Sequence, residues 1–303
     1  MPIPTATPIT VKPLKPHGDS TRGIAYMAGG MFLFSAVDTQ AKFLTDSLHP
    51  VQIVWSRQLG LFLGVLILIA LRGVSVLHTR KPLLQIGRGV LAATSATLFI
   101  VAVSYVPLAD AVAVSFVAPF IVTLMGALIL REPVGIRRWV AVVIGFAGTL
   151  IVMRPGMGVL HPAVGLVLVA AAAFACRQVL SRALSGADPV QTTVAYTAIV
   201  GSALLTIPLP FVWQTPQMGL EMVLLVSIAL MAAVAEVLVI KALEVAQAVV
   251  VAPVMYSLLI WGTFYGWIVF GDLPDLWTWV GALIIVATGV YTLNRERLAA
   301  KRT

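Results

Sequence analysis

The chain has 303 residues, of which 60% are hydrophobic and 11% are charged, and its mean hydropathy is +1.00. A soluble domain carries about a quarter charged residues, so this chain lacks the polar side chains that would cover a water-exposed surface. Because its apolar residues also come in long runs, the composition indicates a membrane protein. The net charge of +8 is explained by basic residues at helix ends, so no nucleic-acid partner is expected.

The residues that usually support catalysis or bind metals are scarce. Cys176 is the single cysteine, and the four histidines lie in the N-terminal tail or near predicted helix ends (His17, His49, His78 and His161). The sequence contains no phosphate-binding loop ending in Gly-Lys-Ser/Thr, no His-Glu-x-x-His and no Gly-x-Ser-x-Gly. We therefore expect no internal disulfide, no metal site, no cofactor, no catalytic residue and no enzymatic activity.

The first 22 residues form a Pro-rich segment in which Thr and Lys separate the prolines. This segment has no apolar stretch of the kind found in a cleavable signal peptide. We expect residues 1–22 to be a disordered cytoplasmic tail. The first apolar helix then acts as an uncleaved insertion signal.

Ten apolar stretches follow, each of about the 20 residues that span a hydrocarbon core. They cover residues 23–44, 51–71, 83–103, 109–130, 136–153, 162–184, 190–211, 220–240, 246–270 and 276–293. Turn sequences separate them, as in His49-Pro50, Glu132-Pro133 and Asp188-Pro189. The sequence therefore predicts an all-α membrane protein with ten transmembrane helices.

The distribution of Lys and Arg predicts the orientation. With the N-terminus in the cytoplasm, the outer connections hold only Lys42 and Arg154. The inner segments hold Lys12, Lys15, Arg22, Arg72, Arg80, Lys81, Arg88, Arg131, Arg137, Arg138, Arg182, Lys241, Arg295, Arg297, Lys301 and Arg302. This asymmetry predicts a multi-pass inner-membrane protein with both termini in the cytoplasm.

Short motifs recur along the chain at spacings of about 137 to 141 residues. The sequence His49-Pro50-Val51-Gln52 returns as Asp188-Pro189-Val190-Gln191, and Trp139-Val140 returns as Trp279-Val280. Gly148 corresponds to Gly289 in the same register. Matches in this order indicate that a half-chain was duplicated.

Each copy holds five helices, so the second copy enters the membrane from the opposite side. We expect repeat 1 over residues 23–156, repeat 2 over 157–294 and a basic cytoplasmic tail over 295–303. The two inverted five-helix repeats would surround a central cavity. Secondary transporters use this arrangement because two equivalent halves can exchange conformations and open to either side. A receptor or scaffold that does not transport is the alternative from another class.

The pattern resembles the drug/metabolite transporter superfamily and, within it, the ten-helix EamA-type family. In the first half, the resemblance rests on Pro50 between Lys42 and Arg57, Tyr105–Ala111, Pro119, Arg131–Pro133 and Trp139–Gly148. In the second half, it rests on Ala246–Pro253, Asp272 and Trp279–Gly289. The second half departs from the pattern, because Tyr196 stands where Arg57 would and Asp272-Leu273-Pro274 replaces Arg-Glu-Pro.

This resemblance implies a secondary transporter that exports amino acids or similar small metabolites, including aromatic or neutral amino acids, by alternating access. The chain looks most like bacterial exporters of aromatic amino acids. The alternative within the family is export of drug-like or cationic compounds. Besides the solute and the lipid bilayer, protons are the candidate coupling partner, and a passive carrier is the other option. An oligomer is not required.

Charged residues inside the predicted spans are candidate site residues, since a charge at the bilayer centre costs about 2.5–3.5 kcal/mol on insertion scales. Asp38 lies on the first helix, and Lys42 follows one turn later. Asp38 either contacts the solute or pairs with Lys42. Arg57, in the first turns of the second helix, is expected to pair between helices or to extend toward the membrane surface.

Arg177 on the sixth helix is the repeat equivalent of Asp38. A zwitterionic amino acid needs a cation for its carboxylate and an acceptor for its ammonium, and these two residues offer both. A direct salt bridge between them is the alternative. Glu236 on the eighth helix aligns with Phe99 and is the candidate proton-coupling carboxylate, unless it pairs with Arg177 or Lys241.

Four aromatic residues are candidates for the same solute site. Phe34 shares a helix face with Asp38, Phe174 shares one with Arg177, and Phe99 and Tyr256 complete the set. Stacked rings suit a large side chain and cation–π contacts. The alternative for each ring is that it faces lipid or packs against other helices.

Pro119 and Pro253 lie within the fourth and ninth helices, which the repeat pairs. A proline inside a helix removes a backbone hydrogen bond and permits a kink, so both are candidate gating hinges.

The charged set also bears on the class of solute. A phosphorylated solute needs several convergent Lys or Arg residues deep in the bundle, and the sequence offers mainly Arg177. A hydrophobic cation needs an acidic residue without a basic neighbour. The mixed set of Asp38, Arg177 and Glu236 favours a zwitterion.

Overall fold

The computed structural model describes residues 20–128, 136–153, 161–184, 188–217, 219–246 and 251–300. These residues are mainly helical and include no β-strand. Most of the expected N-terminal tail, the Arg131-Glu132-Pro133 turn and Arg154 lie outside the described residues.

In the part of the first half that the structure describes, there are six helical segments. They are α1 (Ser20–Leu44), α2 (Pro50–Arg72), α3 (Pro82–Val103), α4 (Leu108–Ser115), α5 (Ala118–Leu128) and α6 (Ile136–Met153), with a 3₁₀ turn over Val74–Leu77. Pro50 and Pro82 each begin a helix, where the missing N–H has no intrahelical acceptor to lose. His49 caps α2, because its Nδ1 accepts a hydrogen bond of 3.3 Å from the N–H of Val51.

Within its described residues, the second half contains six further segments. They are α7 (Val164–Leu184), α8 (Val190–Thr206), the short α9 (Leu209–Val212), α10 (Leu220–Val245), α11 (Ser257–Tyr265) and α12 (Leu276–Ala300). A 3₁₀ turn over Ala252–Tyr256 precedes α11, and a π-helical turn over Gly266–Phe270 follows it. Gly271 ends this run at φ 73°, a left-handed conformation that glycine adopts without strain.

These segments give the ten predicted crossings. Five stretches are long and apolar enough to span a membrane, namely Pro50–Arg72, Pro82–Val103, Leu108–Met125, Val164–Ser181 and Leu220–Ala242. Four shorter apolar stretches cover Trp139–Val152, Val190–Thr206, Val254–Phe270 and Leu276–Tyr291. The 25-residue α1, which contains Asp38 and Lys42, is the tenth. The prediction of an all-α membrane protein with ten crossings is confirmed.

The fourth and ninth crossings are interrupted, whereas the sequence predicted continuous helices. The turn Phe116–Val117 separates α4 from α5, and the 3₁₀ turn that contains Pro253 precedes α11. Pro119 is the second residue of α5, so its missing N–H falls in a first turn that has no intrahelical acceptor. The span predicted over residues 109–130 is thus one crossing, Leu108–Met125, which a two-residue turn divides into α4 and α5. At the C-terminus, α12 extends helically to Ala300, beyond the expected boundary at residue 294.

The two halves interdigitate, and their packing obeys the repeat. Helix α1 of the first half packs against α10 of the second half, and its repeat equivalent α7 packs against α3 of the first half. In the same way, α2 packs against α10, and its equivalent α8 packs against α3. The pair α1–α11 likewise corresponds to α7–α5, while α6–α12 and α2–α8 join equivalent helices. Contacts between the halves are more extensive than contacts within either half. The duplication is thus visible in three dimensions as one bundle of two inverted repeats.

The outer surface of this bundle is apolar. Large side chains that are more than half exposed include Leu63, Ile67, Val143, Val223 and Leu283. Such a surface would associate in water, whereas in a bilayer it contacts lipid chains. Helices suit that position because their backbone hydrogen bonds are satisfied internally.

Contacts between loops identify which connections share an end of the bundle. Lys42 Nζ lies 3.1 Å from the Val106 carbonyl oxygen, between α3 and α4, and 3.4 Å from Asp272 Oδ2, between α11 and α12. At the other end, Asp188 before α8 accepts hydrogen bonds from Thr79 and Gln85. This grouping is the one that repeats of five crossings each require.

Candidate solute-binding site

Asp38 on α1 forms an ion pair with Arg57 on α2. The Oδ1 of Asp38 lies 3.2 Å from Nη1 of Arg57, and the two side chains are only 11% and 21% exposed. The guanidinium also lies over the Phe34 ring, 5.4 Å from its centroid. Interhelical pairing was one of the two alternatives for Arg57, and it is the one that the structure adopts. Asp38 does not form an ion pair with Lys42 or Arg177.

Lys42 pairs instead with Asp272, which the sequence did not reveal. Besides the bonds to Val106 and Asp272, its ammonium lies over the Phe270 ring at 4.7 Å from the centroid. Lys42 and Asp38 are separated by one turn of α1, yet each finds its partner on another helix or loop. The alternative of a local i,i+4 pair is not the one that the structure adopts, because partners on neighbouring elements compete with the pair on one helix face.

Arg177 on α7 has no acidic partner within ion-pair distance in the described part of the chain. Its guanidinium lies over the Phe174 ring, with 4.7 Å between the guanidinium carbon and the ring centroid. Its Nε is buried and has no hydrogen-bond partner. A buried donor without an acceptor is costly, and one attached to a charge more so. Such a group is typical of a site that a ligand completes.

Glu236 on α10 is the acidic residue that acts on this arginine. It interacts electrostatically with both Arg177 and Arg88. Among the described residues, however, Glu236 forms no ion pair with Arg177 or with Lys241, and Lys241 is exposed. The alternative in which Glu236 is neutralised by direct pairing with either residue is therefore not the arrangement of this structure.

Arg88 on α3 belongs to the same charged cluster, although the sequence analysis placed it among the residues at the inner membrane surface. Its Nε donates a hydrogen bond of 2.7 Å to Ser181 Oγ, and its Nη1 donates to the Thr197 hydroxyl. A third contact reaches the Thr193 carbonyl at 3.4 Å. One signal was available in the sequence, since Arg88 lies nearly two turns inside the helix that begins at Pro82.

The charges of this cluster are divided between two packed helix pairs. Helices α1 and α10 pack together and carry Asp38 and Glu236, while α3 and α7 pack together and carry Arg88 and Arg177. Arg57 on α2 neutralises Asp38. The repeat relates the two helix pairs, so the duplication has produced an acidic side and a basic side. This division suits a solute that itself carries separated positive and negative groups.

The four candidate aromatic residues divide into two groups. Phe34 and Phe174 lie beneath the guanidinium groups of Arg57 and Arg177. Tyr256 instead contacts Phe116, with ring centroids 4.9 Å apart, and its hydroxyl packs at Gly289 on α12. Phe99 is partly buried against the main apolar core. The structure therefore associates Phe34 and Phe174 with the charged cluster and places Tyr256 against α12.

The candidate hinge prolines both lie at breaks in the helical ladder. Pro119 follows the Phe116–Val117 turn, and Pro253 lies at the start of the 3₁₀ turn before α11. The breaks occur in the two crossings that the repeat makes equivalent. Their use as gating hinges stays a prediction.

Comparison with known proteins places these features in a family. The sequence matches the EamA-like transporter family twice, over residues 21–154 and 161–294. An S-adenosylmethionine uptake transporter of Rickettsia felis is 26% identical over 284 residues, which cover 91% of this chain and 96% of that protein. A riboflavin transporter of Vibrio cholerae is 32% identical over 214 residues, covering 70% and 72%. A pseudopaline exporter of Pseudomonas aeruginosa is 25% identical over 279 residues, covering 91% and 96%.

A solved crystal structure is also similar to this chain. It superposes with a TM-score of 0.61 at 19% identity and covers 92% of this chain and 99% of its own. At this level of identity, the similarity shows a common fold over nearly the whole chain. The resemblance of the sequence to EamA-type proteins, and the two repeats it implied, are confirmed.

Proposed function

Because the chain belongs to the EamA-like transporter family and is a multi-pass small-molecule transporter, we propose that its solute is an amino acid or a similar zwitterionic metabolite. We further propose that it works by alternating access in the inner membrane, with both termini in the cytoplasm and export as its direction. The prolines at the breaks of the fourth and ninth crossings would serve as the hinges.

The observation that carries this proposal is the relation between Arg177 and Glu236. The two groups interact electrostatically, yet they form no ion pair, and the buried Nε of Arg177 has no partner. A zwitterion that lay between them would give its carboxylate to Arg177 and its ammonium to Glu236. Both charges would then be satisfied at once, whereas an uncharged solute would pair with neither and a simple cation would pair with Glu236 alone.

The named relatives differ in solute and in direction, and one of them has a solute with a zwitterionic group. S-adenosylmethionine, the solute named for the Rickettsia felis relative, contains an α-amino-acid group with a carboxylate and an ammonium. That relative is named for uptake and the Pseudomonas aeruginosa relative for export. Export is the direction implied by the resemblance of the sequence to bacterial amino-acid exporters.

The test is counterflow of labelled solutes in proteoliposomes of the purified protein. The panel contains neutral and aromatic amino acids, S-adenosylmethionine, riboflavin and a lipophilic cation, each with and without a pH gradient. We expect flux of at least one amino-acid solute, and a loss of at least tenfold in the Arg177→Ala variant while membrane expression survives. Flux of riboflavin or the cation alone would refute the proposal, and so would normal amino-acid flux in Arg177→Ala.

The orientation has a separate test. Single cysteines introduced at Ser75 and at Gln214 in a variant without Cys176 should be labelled from opposite sides of intact cells by an impermeant thiol reagent. Residue 75 lies between α2 and α3, close in sequence to Arg72 and Arg80, so a cysteine there should not react with the reagent added outside the cells. Labelling of both positions from the same side would refute the inverted arrangement.

A further inference from the structure

Arg88 on α3 and Arg177 on α7 lie on packed helices, and Glu236 acts electrostatically on both. Arg88 Nε bonds to Ser181 Oγ, and Ser181 follows Arg177 by one turn of α7. The two guanidinium groups interact electrostatically, and like charges in such proximity disfavour each other. Neither forms an ion pair within the residues that the structure describes. An anion between them would remove this repulsion.

The groups that hold Arg88 are neutral, and their hydrogen bonds have only one consistent direction. The Ser181 hydroxyl donates its own proton to the Arg177 carbonyl at 2.8 Å, and the Thr197 hydroxyl donates to the Thr193 carbonyl at 2.8 Å. Each hydroxyl oxygen is therefore left to accept from Arg88. This arrangement fixes the position of the Arg88 guanidinium through neutral groups, and no described acidic residue forms an ion pair with it.

Arg177 is held differently, with a similar result. Its guanidinium lies on the face of Phe174, and its Nε is buried without an acceptor. A ring face attracts the cation but supplies no hydrogen-bond acceptor in the plane of the guanidinium. The edges that form bidentate bonds to carboxylates therefore stay free of protein acceptors.

From these contacts we infer that Arg88 is a solute-binding residue, and that Arg88 and Arg177 together bind the carboxylate of the transported solute. The inference rests on the proposed function and adds a requirement to it, namely that the carboxylate is obligatory. A phosphate group would also suit two arginines, but Glu236 lies close to both and opposes a second negative charge. The site therefore selects a carboxylate with a cationic group beside it.

The test compares acids with their neutralised analogues. Phenylalanine and methionine are paired with their α-amides, and O-phosphoethanolamine, which has a phosphate and an ammonium group but no carboxylate, is added as the phosphate probe. Each compound is measured for thermal stabilisation of the purified full-length protein and for counterflow in proteoliposomes. In the wild-type protein, we expect each acid that binds to do so at least tenfold more tightly than its amide, and the phosphate probe to bind less tightly than the acids.

The variants separate binding from folding. Arg88→Gln should reduce acid binding at least tenfold and bring acid and amide to near equality. Arg88→Lys, which keeps the charge but loses the planar fork, and Thr197→Val, which removes one of its supports, should give intermediate losses if Arg88→Gln does not fold. The matched control is Arg80→Gln, because Arg80 is an exposed arginine whose side chain takes no part in the cluster, and its acid-to-amide ratio should equal that of the wild type.

The outcomes distinguish the inference from the proposed function. If no acid stabilises the wild-type protein more than its amide, or if Arg88→Gln keeps the wild-type ratio, the two-arginine site is wrong, even where amino acids are transported. If the acids bind in an Arg88-dependent manner but none is moved, the site stands and amino-acid transport is refuted. Tighter binding of O-phosphoethanolamine than of the acids would overturn the assignment to a carboxylate.

Discussion

Asp38 on α1 and Arg57 on α2 form an ion pair of 3.2 Å whose side chains are almost entirely enclosed. The repeat places Arg177 opposite Asp38 and Tyr196 opposite Arg57. Tyr196 gives its hydroxyl proton to the Leu77 carbonyl at 3.3 Å and so supplies no charge. In the first half, Arg57 is therefore paired with Asp38. In the second half, Tyr196 offers no charge to Arg177, which forms no ion pair with a described residue. This asymmetry between equivalent positions produces the free charge of the candidate site.

The Asp38–Arg57 pair predicts a strong dependence of stability on both partners. In Asp38→Asn, the enclosed Arg57 loses its counter-ion, and we expect the free energy of unfolding to fall by about 3 kcal/mol. The double variant Asp38→Asn/Arg57→Gln should recover much of this loss, because it removes both charges. Unfolding of the purified protein, arranged as a double-mutant cycle, measures the coupling. Additive losses would mean that the pair contributes nothing specific.

Glu236 should control the response of transport to pH. In Glu236→Gln, the acidic side of the cluster can neither attract an ammonium group nor exchange a proton. We expect at least a tenfold lower flux of zwitterions and a flat pH profile in proteoliposomes. Glu221→Gln is the matched control, since Glu221 lies in the first turn of the same helix and bonds to the N–H of Gln217. A pH profile in Glu236→Gln that equals the wild-type profile would exclude this carboxylate from coupling.

The two partners of the Lys42–Asp272 pair should contribute unequally. Asp272 is 42% exposed and Lys42 only 14%. We expect Asp272→Asn to cost less than about 1 kcal/mol, as partly exposed pairs usually do. Lys42→Met should cost more, because Lys42 also donates to the Val106 carbonyl and lies over the Phe270 ring. Thermal unfolding in detergent compares the two, and equal losses would show that only the ion pair matters.

Gly60 and Gly64 provide a matched test of helix packing on α2. A Cβ at Gly60 would collide with the backbone of Ala229 on α10, whereas a Cβ at Gly64 would meet no atom within 4 Å. We expect Gly60→Ala to force α2 away from α10 and to lower the stability by about 2 kcal/mol. Gly64→Ala should be neutral, or stabilising by up to about 1 kcal/mol, since alanine favours the helix. Similar stability of the two variants would contradict this contact.

Asp188, in the connection before α8, predicts how stability depends on pH at the acidic end. The hydroxyl of Thr79 and the amide of Gln85 donate to its carboxylate, and together with the Arg80 N–H and the charge of Lys81 they lower its pKa below the ordinary value of 3.8. A carboxylate whose pKa is lowered on folding stabilises the folded protein at pH values above its unfolded-state pKa. This stabilisation is lost as the pH falls through the folded-state pKa.

We therefore expect a contribution from Asp188 that is constant from pH 5 to 7 and that declines only below about pH 4. Thermal unfolding measured from pH 3 to 7 checks it, with Asp188→Asn as the comparison. In that variant the difference from the wild-type protein should be largest at neutral pH and should shrink toward pH 3. A difference that does not change with pH would show that the loss comes from packing alone.

Much of the fold was accessible from the sequence because the membrane imposes strong local rules. Runs of about 20 apolar residues and the turns between them gave ten crossings with mostly accurate bounds. The breaks at Phe116–Val117 and Ala252–Tyr256 were missed, since prolines were taken as kinks inside continuous helices. A proline marks the place of an irregularity, but its neighbours decide whether the helix bends there or ends.

The candidate site was only partly accessible. Asp38, Arg177 and Glu236 stand out as charges in apolar runs, and the repeat brings the first two into equivalent positions. Arg88 was assigned to the membrane surface, because its distance from Pro82 did not reveal that Ser181 and Thr197 hold it against α7 and α8. Tyr256 was grouped with the charges, although its ring packs against Phe116.

The sequence by itself determined the membrane environment, the number of crossings and the duplication, since these depend on hydropathy and on the parity of five helices. Only the tertiary structure decided which charges are paired and which are free. Ion pairing depends on distances of a few ångströms between side chains on different helices. Sequence spacing alone allows Asp38 to pair with Lys42, Arg57 or Arg177. The packing of α1 and α2 brings Arg57 within ion-pair distance.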